Sequence, residues 1–175
     1  MALLSFSDRW IRPQAELRKL FVGQERALAV GDTEHSVVVA TNYGLWLPVA
    51  DEPSAGWRRI GWDLVVKANW AADRLVLIEG VMHDSGQLTD LPAVTVDLVE
   101  PRNLPSVVRT RVEASIARSE QVNLPGGTGR LVARRVPGVD GLTWTARLDA
   151  ATPSTELDVQ TLLAYLDRAR DAPTE

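Results

Sequence analysis

Four residues near the middle of the chain have types that could carry acid–base or nucleophilic chemistry. Glu79 interrupts an apolar run, and His83, Asp84 and Ser85 follow closely behind it. Imidazoles and carboxylates commonly act as general acids and bases. Adjacent residues rarely converge as nucleophile, base and orienting group, however, and no nucleophile-elbow glycines surround Ser85. An enzyme or a small-molecule-binding protein, with Glu79, His83 and Asp84 lining its pocket, is therefore our alternative hypothesis and not the favoured one.

Other catalytic and metal chemistry finds little support in the sequence. The chain contains no cysteine, which excludes disulfides, thiolate metal sites and cysteine nucleophiles. Its two histidines, His35 and His83, are far apart, and neither has a partner at metal-ligand spacing, so we interpret both as surface or turn residues. We predict no metal and no cofactor, and we favour a protein without catalytic activity.

A glycine cluster at residues 126–130 (GGTGR) invites comparison with phosphate-binding loops. Such loops join a strand to a helix and carry a lysine followed by serine or threonine. Here Arg130 stands at the lysine position, and a strand pattern follows it rather than a helix. The sequence therefore predicts a plain hairpin turn.

Arginines give the charge pattern its asymmetry. The net charge is −4, which argues against general nucleic-acid binding, because phosphate neutralisation drives that affinity. Residues 102–135 nevertheless hold seven arginines and two acids. Such a segment can bind a phosphate, an acidic peptide or an anionic lipid, or it can be a solvated face whose arginines pair with acids elsewhere. We take Arg58, Arg59, Arg134 and Arg135 as candidate charge contacts.

Arg111 is unusual because it falls inside the apolar sector of a predicted helix. An arginine in such a sector must extend to solvent or find a partner, since an unpaired buried charge is very costly. We favour a structural ion pair for Arg111 and keep a ligand contact as the alternative.

Six tryptophans are many for a chain of 175 residues. Tryptophan stacks on sugars, bases and cations, and it anchors protein interfaces. A small β domain also needs large side chains to fill its core. We predict that most of the six are core residues and that Trp57 and Trp144 are partner-binding anchors.

The element pattern predicts an α+β fold with mainly antiparallel β structure. Strand signals dominate residues 25–99, and their tight turns show no β–α–β alternation. Residues 42–44 (NYG) predict a hairpin, because asparagine and glycine tolerate positive φ. Residues 104–122 and 156–170 carry apolar residues at helical spacing, and the second of these helices starts with a capping box. We divide the chain into a leader with a short helix at residues 1–24, a single domain at 25–171 and a frayed tail at 172–175.

This layout resembles a pleckstrin-homology (PH) or GRAM-like barrel, in which the last helix closes one open end. Residues 37–49 (VVVATNYGLWLPV) and 57–70 (WRRIGWDLVVKANW) resemble the early strand meander of the bacterial members. The chain is also similar to a group of actinobacterial proteins with such a domain. The resemblance implies a PH-like, partly open barrel with an inserted helix and a C-terminal capping helix. It further implies a binding or scaffolding role, although a fold does not settle a function.

The sequence as a whole favours a non-enzymatic interaction or scaffold module that binds a partner protein, a peptide or an anionic ligand. No targeting segment is visible and no apolar run approaches the length of a membrane span, so we predict a cytoplasmic protein. An open barrel edge needs cover, which the N-terminal leader could supply within the chain or across a dimer. A homo-oligomer is therefore among the expectations.

Overall fold

The computed structural model describes residues 15–52 and 54–172. Within these ranges it has three helices, eleven strands and antiparallel pairing between all neighbouring strands. The predicted α+β class is confirmed. The helices are α1 (Ala15–Arg18), α2 (Leu104–Ser115) and α3 (Glu156–Asp171). The strands are β1 (Ala27–Asp32), β2 (Val37–Thr41), β3 (Gly44–Pro48), β4 (Trp57–Gly61), β5 (Val65–Ala71), β6 (Arg74–Met82), β7 (Leu88–Asp90), β8 (Val94–Asp97), β9 (Ile116–Leu124), β10 (Gly127–Arg134) and β11 (Thr143–Leu148).

The described residues form two compact units that alternate along the chain. The first unit comprises residues 15–79 and 92–113, and the second comprises residues 80–91 and 114–172. Strand β6 begins in the first unit and ends in the second. Much of the predicted leader and nearly all of the predicted tail lie outside the described residues.

A four-stranded sheet, ordered β1-β2-β3-β4, forms one half of the first unit. Strand β2 is buried along its whole length, because alternate side chains enter two different apolar clusters. Val38 belongs to a cluster that includes Leu104 of α2, and Val39 belongs to one that includes Leu17 of α1. Burial on both faces explains why β2 reads as a continuous apolar run instead of an alternating strand.

The other sheet of the first unit has β6 at its centre, with β5 on one side and β8 on the other. Leu75 and Leu77 of β6 are fully buried in the same cluster as Leu104. No strand pairing among the described residues joins this sheet to β4 as a closed barrel. The PH-like barrel therefore stays a prediction.

The second unit packs α3 against the sheet β11-β10-β9. Leu162 and Leu166 of α3 are fully buried, together with Leu131 of β10 and Ala146 of β11. The helix begins where the capping box predicted, because Thr155 Oγ1 accepts a hydrogen bond from the Asp158 amide at 3.1 Å.

The prediction of one helix over residues 104–122 is wrong in its second half. Helix α2 ends at Ser115, and β9 starts at the next residue. Val122 and Leu124 are two residues apart and both are buried in the core of the second unit, a spacing that fits a strand and not a helix. None of the described helices is long and apolar enough to cross a membrane.

The predicted hairpin at Asn42 and Tyr43 is confirmed, since β2 ends at Thr41 and β3 starts at Gly44. Gly44 lies opposite Gly61 of β4. A Cβ at position 44 would overlap the backbone oxygen of Ile60 and lie 2.9 Å from Cγ of Arg59. Only glycine fits there without moving β4.

We expect Gly44→Ala to lower the free energy of unfolding by about 3 kcal/mol, because a backbone oxygen cannot rotate away from the new methyl group. Gly56→Ala is the control: its Cβ would meet open space, and only its φ of 73° adds strain, for a loss of about 1 kcal/mol. Urea unfolding of both variants measures the difference. Equal losses of unfolding free energy in the two variants would show that β3 and β4 do not approach each other closely enough at Gly44 to exclude a methyl group.

Candidate functional site

Arg59, one of the predicted charge contacts, holds a buried carboxylate of its own unit. Its Nη1 donates to Oε2 of Glu25 at 2.7 Å, and the side chains are 32 % and 0 % exposed respectively. The guanidinium lies 5.6 Å from the ring centre of Trp46 and 5.9 Å from that of Tyr43, within cation–π range. These contacts give Arg59 a structural role.

The Glu25 carboxylate accepts three further hydrogen bonds. Thr41 Oγ1 and Trp46 Nε1 donate to its Oε1 at 2.7 and 2.8 Å, and the Val22 amide donates to its Oε2 at 3.2 Å. A buried charge is tolerated only when it is paired and its lone pairs are satisfied, and both conditions are met here. We call Glu25, Arg59, Thr41 and Trp46 the Glu25 network.

Arg58, the neighbour of Arg59 on β4, pairs with Glu79 on β6. Its Nη1 donates to Glu79 Oε2 at 2.6 Å, and the two side chains are 41 % and 16 % exposed. The alternative hypothesis placed Glu79 in a pocket as an acid–base group. In the structure its carboxylate is occupied by Arg58, so the pair accounts for both residues without a ligand.

Two arginines of the basic segment 102–135, Arg102 and Arg109, also have acidic partners nearby. Arg102 Nη2 donates to Asp32 Oδ2 at 2.5 Å and to Glu100 Oε2 at 2.8 Å. Burial lowers the pKa of Arg102, but the hydrogen bond and charge of Asp32, aided by Glu100, outweigh that effect and leave the pKa raised. Arg109 pairs with Glu113 at 2.9 Å, and this contact raises the pKa of Arg109. Pairing of this kind reduces the charge that the segment offers to an anion.

The three other predicted arginines fall into different environments. Arg134 is buried, and its Nη1 donates to Ser115 Oγ at 2.8 Å. Arg135 is exposed, with its backbone amide 2.7 Å from the Ser115 carbonyl. Arg111 is half-buried, and no ion pair or hydrogen bond joins it to another described residue, so the structural ion pair favoured for it does not form there.

His83 and Asp84 lie in the turn between β6 and β7 of the second unit, and both are exposed. His83 Nε2 is 2.9 Å from Thr89 Oγ1, and the His83 carbonyl accepts from the Gly86 amide at 2.8 Å. The prediction of a turn histidine is confirmed. Within residues 15–52 and 54–172, no group of three acidic or histidine side chains could hold a metal ion.

The predicted hairpin turn forms between β9 and β10, with Pro125 and Gly126 in the turn and residues 127–130 of the glycine cluster in β10. The Gly126 amide donates to Asp158 Oδ1 at 2.7 Å, and Thr155 Oγ1 donates to Asp158 Oδ2 at 2.6 Å. A Cβ on Gly129 would lie 2.8 Å from a methyl group of Leu162. Gly129 thus allows close packing against α3. The Gly126 amide, which a phosphate would need as a donor, already donates to the Asp158 carboxylate.

The two predicted tryptophan anchors differ in their surroundings. Trp57 packs against the α1 side of the first sheet, and its Nε1 donates to the Val37 carbonyl at 3.1 Å. Trp144 packs against the core of the second unit and lines a cavity of about 560 Å³. Arg118 of β9 and Arg170 of α3 line the same cavity. Trp144 therefore keeps a surface that a ligand could reach.

A cleft of about 620 Å³ lies between β5 and α2 in the first unit, and we call it the β5–α2 cleft. Successive residues of a strand point to opposite faces, so three consecutive residues have only the strand edge in common. The edge of β5 therefore forms one wall, and this strand pairs with β6 alone among the described strands. The lining residues are Ala68, Asn69 and Trp70 of β5 and Pro105, Ser106, Arg109, Val112 and Glu113 of α2.

The β5–α2 cleft offers apolar surface and backbone groups more than charge. Trp70 and Val112 pack against the core of the first unit. Trp70 Nε1 is buried and has no hydrogen-bond partner among the described residues. The charges of Arg109 and Glu113 cancel in their ion pair. Sequence reasoning missed this cleft, because α2 and β5 are far apart in the chain. The one signal was a concentration of four tryptophans between residues 46 and 70, of which Trp70 is the last.

We expect Arg59→Ala to lower the free energy of unfolding by about 3 kcal/mol, since it leaves the Glu25 carboxylate buried without its cation. Arg58→Ala, on the same strand, should cost less than about 1 kcal/mol, because the Arg58–Glu79 pair is partly exposed. Thermal and urea unfolding of the two variants makes the comparison. Similar losses in both would mean that the Glu25 network is not the stronger constraint.

Comparisons with known proteins leave the interpretation of these sites to their geometry. No protein-family model matches the chain, and neither the curated proteins nor the solved structures gave a significant match. The contacts and clefts described above are therefore the basis for a functional conclusion.

Proposed function

We propose that this protein is a non-enzymatic interaction module that binds an extended peptide segment of a partner protein in the β5–α2 cleft. The observation that carries the proposal is the strand edge that lines the cleft. An unpaired edge presents a row of backbone donors and acceptors, and an added strand from another chain satisfies them. Three consecutive residues of β5, Ala68, Asn69 and Trp70, line the cleft along this edge and give such a segment positions to follow.

Helix α2 supports this mode of binding because it forms a second wall beside the strand edge. Side chains of an added strand alternate between two faces, so half of them would point towards Trp70 and Val112. Apolar side chains at those alternate positions would be removed from water, which supplies affinity, while the backbone pairing supplies register. We therefore propose a peptide with apolar residues at every second position.

Charge favours a peptide over the anionic ligands that the sequence left open. The charged side chains lining the cleft, Arg109 and Glu113, neutralise each other at 2.9 Å. Arg58 and Arg59 face acids of their own unit at 2.6 and 2.7 Å. A phosphate or an anionic lipid would have to displace those carboxylates, whereas an extended peptide needs no net charge at the site.

The arrangement of the first unit is compatible with the proposed PH-like fold. Its four-stranded meander is followed by three further strands and then by α2. In this proposal α2 takes the closing position that the sequence analysis gave to the C-terminal helix. The cysteine-free composition supports a reducing compartment, so we propose a cytoplasmic partner.

A displayed library of linear peptides, selected on the full chain, tests the proposal. We expect selected peptides to alternate apolar and polar residues and to shift the backbone amide NMR signals of residues 68–70. Ser106→Trp, which fills the cleft from α2, should weaken binding about tenfold or more in fluorescence polarisation. Thr110→Trp, an exposed position on the same helix outside the cleft lining, is the matched control.

Two results would contradict the proposal. One is a selection in which no peptide binds the unmodified chain above background. The other is equal binding by Ser106→Trp and the control, with both variants folded by circular dichroism. Peptides that shift signals only around Trp144 would move the site to the cavity of the second unit.

A further inference from the structure

The cavity of about 560 Å³ in the second unit forms where the apolar stripe of α3 changes from large to small side chains. Leu162 and Leu166 are fully buried against the sheet. Ala169 follows at helical spacing on the same face, and it lines the cavity together with Leu142 and Trp144. An alanine at this position leaves uncovered a part of the sheet that a leucine would cover. The volume lies within the range of small-molecule sites.

Arg170, the next residue of α3, brings a fixed positive charge to this cavity. Its Nη1 donates to the Ser85 carbonyl at 3.4 Å, and its Nη2 donates to the Trp144 carbonyl at 3.3 Å. A Cβ on Gly86 would overlap Nη2, so the guanidinium packs directly on the turn between β6 and β7. Carbonyls carry no net charge, and these contacts therefore orient the guanidinium without neutralising it.

The ion pair of Arg170 is long and exposed. Its Nη1 lies 3.5 Å from Oδ1 of Asp167, whose side chain is 71 % exposed. Arg58 and Arg147 meet their carboxylates at 2.6 and 3.0 Å. An exposed pair of this kind contributes little energy and is screened by salt. Arg170 can therefore donate to a further anion without leaving a buried acid unpaired.

The charged side chains that line the cavity favour a ligand with a single negative charge. They are two arginines, Arg118 and Arg170, and one acid, Glu120, which leaves one positive charge. Arg118 already has an interaction within the chain, so we assign the anion to Arg170 alone. The negative end of the α3 dipole opposes an anion here, but Arg168 and Arg170 in the last turn offset it. A second negative charge on the ligand would meet Glu120.

We propose that this cavity binds a small aromatic carboxylate. Its ring packs against Trp144, because an indole offers a large apolar surface on which a planar ring can stack. Its carboxylate accepts hydrogen bonds from the guanidinium of Arg170, which lies beside the Trp144 backbone. The site belongs to the second unit and shares no residue with the β5–α2 cleft.

Titration of the full chain with naphthoate, followed by the backbone amide NMR signals, tests the site. Naphthamide is the neutral control, and acetate is the control without a ring. We expect naphthoate to bind with a dissociation constant of about 1 mM or lower and to shift the signals of Leu142 and Trp144. Naphthamide and acetate should each bind at least about tenfold more weakly, since each lacks one of the two contacts.

Arg170→Gln separates the charge contact from a structural role of the same residue. We expect this variant to weaken naphthoate binding at least about tenfold and to leave naphthamide binding unchanged. A purely structural role would weaken the binding of both probes. Arg168→Gln is the matched control, because it makes the same change in net charge in the same turn, at an exposed residue outside the cavity lining.

Ala169→Leu tests the cavity itself and keeps Arg170 in place. A leucine here continues the stripe of Leu162 and Leu166, so we expect the variant to fold and to weaken both naphthoate and naphthamide at least about tenfold. Ala164→Leu adds the same side chain at an exposed position of α3 outside the lining and should leave binding unchanged. This comparison decides the matter even where Arg170→Gln fails to fold.

Several outcomes would overturn the aromatic carboxylate site. They are the absence of saturable naphthoate binding, equal binding of naphthoate and naphthamide, and a folded Ala169→Leu variant that binds as well as the unmodified chain. Shifts confined to residues 68–70 would place naphthoate in the β5–α2 cleft and would equally contradict the site. Peptide selection on the β5–α2 cleft uses other probes and other variants, so the two proposals succeed or fail separately.

Discussion

The fully buried carboxylate of Glu25 is the constraint on which the first unit depends. A charge without water must be paired and hydrogen-bonded, and this one is held by Arg59 from β4, Thr41 from β2 and Trp46 from β3. Each of these strands must keep its register for the acid to be satisfied. The Glu25 network therefore specifies how the four-stranded meander is assembled, beyond what apolar burial alone would require.

The same physics explains why Arg58 and Arg59, two of the predicted charge contacts, are poor candidates for ligand sites. If an arginine that neutralises a buried or half-buried acid moved to bind an anion from solvent, the acid would be left as an unpaired charge, which would destabilise the fold. Among the described strands, β5 has one sheet edge with which no other strand pairs, and this edge lines the β5–α2 cleft. Helix α2 flanks the edge and forms the second wall of the cleft.

Local signals predicted much of the fold. Thr155 and Asp158 announced the start of α3 because a capping box involves residues only three apart. Asn42 marked a hairpin for a similar reason. The end of α2 could not be read in this way, since Val112 and Ile116 continue the helical spacing, and only pairing with β10 draws Ile116 into a strand. The partner of Arg59 was equally hidden, because Glu25 lies 34 residues away in the chain.

The alternation of the two units along the chain has a consequence for protein synthesis. Residues 80–91 belong to the second unit, yet the ribosome makes them before it makes any of residues 114–172. Gln87 bridges to Ala146, and Asp90 pairs with Arg147, so both must wait until β11 has emerged. The hairpin of β7 is thus translated early but finds its neighbours late, and neither unit can be produced as one uninterrupted fragment of the gene.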